Sequence, residues 1–201
     1  MCKLRAIGMA SVLLLVAACS SPAAQSLQTG AGVLFGVGRG DGQARPDCTV
    51  GAVTLENFEV KENQRCILRG TRVEGNLFVR RNATLQAENI WVQGNIQAEN
   101  AQEVQVRNAA VGGSIQIKQG GRALVSGTRI TGDLQYDQMR GLLVASSNTV
   151  NGNIQIVKNL GGVEVSNNRV NGNLQCKENY PAPTGGGNIV QGSKEDQCAR
   201  L

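Results

Sequence analysis

Seven near-copies of one hexad run through the chain. They begin at Val73 (VEGNLF), Val92 (VQGNIQ), Val111 (VGGSIQ), Ile130 (ITGDLQ), Val150 (VNGNIQ), Val170 (VNGNLQ) and Val190 (VQGSKE), at intervals of 19, 19, 19, 20, 20 and 20 residues. A period in this range means a solenoid: each unit exposes an apolar face that only stacking on its neighbours can bury.

The apolar positions decide between helix and strand. Four and six residues after each hexad Val stand Leu77/Val79, Ile96/Ala98, Ile115/Ile117, Leu134/Tyr136, Ile154/Ile156 and Leu174/Cys176. Seven and five residues before it stand Leu85/Ala87, Val104/Val106, Ala123/Val125, Leu143/Ala145 and Val163/Val165. Both sets alternate at period two, in strand-favouring residue types, and no helical period competes. With the hexad Val itself, each unit carries three short strands facing inward. Aromatic residues are only 3% of the chain, so the core is aliphatic.

The other columns are corners. Gly75, Gly94, Gly113, Gly132, Gly152, Gly172 and Gly192 share one, which requires either positive φ or a close backbone approach. Gly70, Asn89, Asn108, Gly127, Ser147, Asn167 and Gly187 share a second, and most of these tolerate the left-handed region. A third contains Gln119-Gly120-Gly121, Arg140-Gly141 and Leu160-Gly161-Gly162, whose length varies by one residue and turns a period of 19 into 20. The expected fold is all-β: a right-handed, single-stranded parallel β-helix, three-sided, of seven to eight coils of 19–20 residues. At about 4.8 Å per coil it would be roughly 35 Å long. Asn76, Asn95, Ser114, Asp133, Asn153 and Asn173 would then stack as a hydrogen-bonding ladder.

Over roughly residues 50–192 the repeat resembles bacterial bactofilin-like β-helices, in being a run of short V-x-G-N units with strand periodicity. Its period is longer and cysteines flank it, which brings it nearer to the secreted or lipoprotein β-helix repeat proteins of bacteria, a class of poorly characterised function.

The N-terminus reads as an address. Lys3 and Arg5 precede an eleven-residue apolar stretch, Ala6 to Val16, too short to span a bilayer. It ends in Val16-Ala17-Ala18-Cys19, which resembles a lipoprotein lipobox; an ordinary secretory signal is the alternative. The resemblance implies a signal peptide over 1–18 and acylation of Cys19 with diacylglycerol and palmitate-like chains, enough to anchor the protein to a membrane. It implies a cell-envelope location: the outer membrane in a Gram-negative host, where Ser20 fits outer-membrane sorting, or the outer face of the cytoplasmic membrane in a Gram-positive one. Residues 19–47 then form a flexible Gly/Ala/Ser/Gln tether, with Val33-Leu34-Phe35 either a sticky piece of linker, a lipid contact or a segment docked on the domain. The β-helix domain covers 48–201.

Four cysteines remain: Cys48, Cys66, Cys176 and Cys198. In an oxidising compartment they form two disulfides, with three possible pairings. A separation of 18 places Cys66 about one coil above Cys48, and one of 22 lets Cys198 fold over Cys176, so this pairing staples both ends. The tail after the last full hexad turns polar and charged, a stop against end-to-end assembly that predicts a monomer.

Most chemistries have no residues to carry them. There is no His, so the commonest general base and metal ligand are missing, and neither a metal nor a cofactor is expected. The aspartates number only Asp41, Asp47, Asp133, Asp137 and Asp196, and Asp133 sits in a turn slot, so no catalytic residue is assigned and a non-enzymatic role is expected. Removal of 1–18 leaves 18 basic against 15 acidic residues with no cationic run, so nucleic acid is not the expected partner.

Two surface readings stand. Gln97, Gln116, Gln135, Gln155 and Gln175 form an outward column, either a solvated sheet face or an amide array for glycan hydroxyls, with Phe78 in the same column and Trp91 nearby. Trp91 is either a sugar platform or the partner of Arg72 one coil below. Leu124, Leu142 and Val144 fall at outward positions and form either a docking patch for an envelope protein or a surface covered by a loop. The expected role is a lipid-anchored structural or interaction module, with a glycan-binding module as the alternative.

Overall fold

A computed structural model of the chain describes residues 47–201 together with the backbone of Leu34–Phe35. Among the described residues every regular element is a strand, and the strands form three sheets crossed in turn by each winding of the chain. The first sheet runs from Cys48–Val50 through Arg65–Arg69, Thr84–Glu88, Glu103–Arg107, Arg122–Ser126, Leu143–Ser146 and Val163–Ser166 to Thr184–Gly186. The second is built of two-residue strands from Thr54–Leu55 to Ile189–Val190, and the third runs from Phe58–Val60 to Lys194–Asp196. The second and third sheets have eight strands each, so the expected three-sided parallel β-solenoid is present with eight coils. Leu34–Phe35 adds an antiparallel strand beside Cys48 and Thr49.

Register follows the hexads. Val104 lies over Leu85, 19 residues on, and Leu143 over Ala123, 20 on. The third sheet still pairs Ile117 with Tyr136 at 19, so the extra residue enters between Tyr136 and Leu143, at the third corner. Every inward position read from the period-two pattern is at most 3% exposed. Tyr136 is the aromatic member of this aliphatic tube; its hydroxyl donates to Val144 O at 2.9 Å, and burial pushes its pKa well above the ordinary phenol range.

The two Gly/Asn columns solve different problems. Gly70, Asn89, Asn108, Gly127, Ser147, Asn167 and Gly187 all have φ between 51° and 70°, the left-handed corner. The hexad glycines do not; theirs is the close approach, since a Cβ on Gly94 would lie 2.6 Å from Gly75 O and 2.5 Å from Asn76 Oδ1. The hexad ladder lies beside them: Asn95 N donates to Asn76 Oδ1 at 2.8 Å, Ser114 N to Asn95 Oδ1 at 2.8 Å, Asn153 N to Asp133 Oδ1 at 2.7 Å and Asn173 N to Asn153 Oδ1 at 2.8 Å. Side-chain oxygens thus continue the parallel ladder around a corner where backbone carbonyls turn away.

Two further ladders lie inside the tube. Asn148, Asn168 and Asn188 are buried; Asn148 donates from N and Nδ2 to Asn168 Oδ1, both at 3.0 Å, and Asn168 repeats this to Asn188 at 3.0 and 2.9 Å. Each Nδ2 also caps a carbonyl, of Val125, Ala145 or Val165. Asn159 and Asn179 form the second, ending on Gln197. No described buried side-chain polar atom lacks a partner. The ends are closed by Cys48–Cys66 and Cys176–Cys198, with Cα separations of 4.6 and 5.1 Å, the expected pairing.

Candidate functional site

The outward surfaces are what a solenoid offers a ligand. The hexad side-chain oxygens are spoken for, since they accept the next coil's N–H; the Asp133 carboxylate is among them, taking both N and Nδ2 of Asn153, while Asp137 lies at the end of a strand. The Gln column differs. Phe78, Gln97, Gln116, Gln135, Gln155 and Gln175 stand in continuous register on the outer face of the third sheet. No side-chain hydrogen bond engages these glutamines among the described residues; Gln97 is exposed and the other four are half-buried, which leaves their amides available to a ligand.

The aromatic residues do not converge with the whole array. Phe78 is on the third sheet, beside Arg80, whose Cζ lies 5.2 Å from the ring centroid. Arg80 also holds Glu59 at 2.7 Å, and that hydrogen bond keeps the Glu59 carboxyl below its usual range and raises the guanidinium. Trp91 is on the second sheet, around the hexad corner, and the Arg72 guanidinium stacks on it at 3.6 Å. Trp91 and Phe78 therefore belong to different faces, and one face of the Trp91 ring is covered.

The apolar patch is larger than the sequence indicates. Leu124 and Val144 are adjacent in register and half-buried, whereas Leu142 is 55% exposed. Two residues not singled out in the sequence extend it at the third corner, Leu160 at 62% and Tyr180 at 77%. Their signal was available: each sits one coil further on, and Leu160 N bonds Met139 O as Tyr180 N bonds Asn159 O.

A groove of about 810 Å³ follows the same corner toward the N-terminal coils, lined by Arg81, Asn82, Asn100, Gln119, Gln138 and Lys158, among others. Its αL column, Asn82, Asn100, Gln119, Gln138 and Lys158, has φ of 55° to 58° and was missed because its C-terminal members are neither Gly nor Asn. No group of three or more Cys, Asp or Glu among the described residues is placed to hold a metal. Cys19 lies outside the described residues.

The fold and these surfaces define a disulfide-closed parallel β-solenoid. No protein-family model matches the chain, and neither a curated protein nor a solved structure matches it.

Proposed function

We propose that this protein is a non-catalytic module of the bacterial cell envelope, lipid-anchored through Cys19 and docking an envelope protein on the face formed by Leu124, Leu142, Val144, Leu160 and Tyr180. The observation that carries the reading is that Leu142, Leu160 and Tyr180 fall on successive coils at one corner, three of the four large apolar side chains more than half exposed among the described residues, the fourth being Ile189 on the second sheet. The minimal coils support it as well: none carries the long inserted loops on which active sites are usually built. The two disulfides are compatible with an oxidising compartment.

The test is crosslinking in the native envelope. The reading expects a discrete protein adduct that Leu142→Asp and Leu160→Asp abolish and that Trp91→Ala leaves intact. It also expects Cys19→Ser to move the protein from the membrane fraction to the soluble one. An adduct insensitive to both aspartates would remove the docking face, and unchanged membrane association of Cys19→Ser would remove the anchor.

The free amides of the Gln column favour a second reading, glycan binding on the third sheet, for which Phe78→Ala and Gln116→Ala are the variants expected to weaken sugar binding.

A further inference from the structure

We propose that the groove along the third corner binds a linear, carboxylate-bearing glycan laid parallel to the solenoid axis. The proposal makes no use of the protein-docking reading and moves the sugar site from the Gln column to a different edge of the molecule.

A residue with a side chain in the left-handed region is disfavoured, and Gly or Asn is the usual choice. At the corner between the first and second sheets the chain makes that choice at every coil but one, the exception being Ser147. Along the groove Asn82 and Asn100 keep it, whereas Gln119, Gln138 and Lys158 hold φ of 55°, 56° and 58° with long polar side chains. The solenoid makes little use of them. Gln119 Nε2 reaches Gln138 Oε1 only at 3.5 Å, and the Lys158 ammonium has no side-chain partner among the described residues. Long polar side chains at strained positions without a structural task point to a ligand.

The groove's shape and charge suit an acidic chain. Gly120 and Gly121 form a floor without side chains; a Cβ on Gly120 would lie 2.6 Å from Ala101 O. The left-handed column lines it together with Gln102, Arg140 and Leu160, the last shared with the proposed docking face. Among the described residues no carboxylate lines the groove. Arg81 is paired with Glu62 at 3.1 Å, whereas Arg140 and Lys158 make no ion pair among the described residues. Asp137 and Glu178 adjoin Gln138 and Lys158 in the chain and along the column without lining the groove.

The αL amides and Lys158 come from five successive coils, and coils repeat at about 4.8 Å. That is close to the length of one sugar in an extended hexose polymer, so a linear chain presents hydroxyls to the amides in step with the coils. Its carboxylates meet Arg140 and Lys158 as charge-assisted hydrogen bonds.

The experiment uses the exported chain carrying Cys19→Ser, titrated calorimetrically with a galacturonate pentamer and with a neutral glucose pentamer. The acidic pentamer should bind and weaken with added salt, and the neutral one should bind far more weakly. Arg140→Gln combined with Lys158→Gln should weaken binding at least tenfold, while Arg129→Gln with Arg169→Gln, on the second sheet, should leave it unchanged. Gln138→Gly separates binding from folding: it should weaken binding several-fold without lowering the thermal midpoint. No binding of the acidic pentamer, equal binding of the neutral one, equal loss from both cation pairs, or unchanged binding by Gln138→Gly overturns the proposal.

Discussion

At the scale of single residues, the fold turns on atoms that are missing or hidden. Gly94 has no room for a methyl group against the carbonyl of Gly75, so Gly94→Ala must push two coils apart; a loss of about 2–4 kcal/mol is expected, read from urea unfolding. Tyr136 poses the opposite constraint, a hydroxyl kept neutral in an aliphatic tube. Its folded pKa is raised above its unfolded value, so its stabilising contribution is complete below the ordinary value of 10.0 and is lost as pH climbs beyond it. Tyr136→Phe forfeits the hydrogen bond to Val144 O, about 1 kcal/mol at neutral pH. It should also flatten the decline in stability above pH 10, measured as the unfolding midpoint across that range.

At the scale of strands and corners, the inner amide ladders are the largest polar investment. Asn168 accepts from Asn148, donates to Asn188 and caps Ala145 O, all out of contact with water. Asn168→Leu strands the N–H of Asn148 and should cost about 3 kcal/mol, whereas Asn151→Ala, at an exposed corner, should stay within about 0.5 kcal/mol; paired denaturation curves compare them. These elements also divide what the sequence made legible from what it hid. Strand positions and the hexad ladder were readable because the period-two alternation recurs coil after coil and the hexad slot is always a short polar residue, Asn, Ser or Asp. The inner ladders were not, because Asn148, Asn168 and Asn188 occupy slots held by Thr71, Ile90, Ala109 and Thr128 lower down, and a column that changes chemistry halfway shows no repeat. The Gln column and the disulfide pairing were legible from spacing. The groove was hidden because the αL column changes from Asn82 and Asn100 to Gln119, Gln138 and Lys158, and the apolar patch was only partly seen because Leu160 and Tyr180 lie at a corner rather than on a strand.

At the scale of the whole solenoid, coils touch only their neighbours, so stability is local and the ends are weakest. The two disulfides close loops of 18 and 22 residues at those ends and should each contribute about 3 kcal/mol. Reduction should therefore release the first and last coils, seen as amide exchange at Val50 and Ile189, while amides near Ile115 remain protected. The same chemistry bears on mechanics. A pull entering the chain ahead of Cys48 is handed through sulfur straight to Cys66, so the intervening winding is bypassed and carries none of the load. Tension then falls on the second winding along the strand direction, shearing its ladder of hydrogen bonds together instead of peeling them one by one from a loose end.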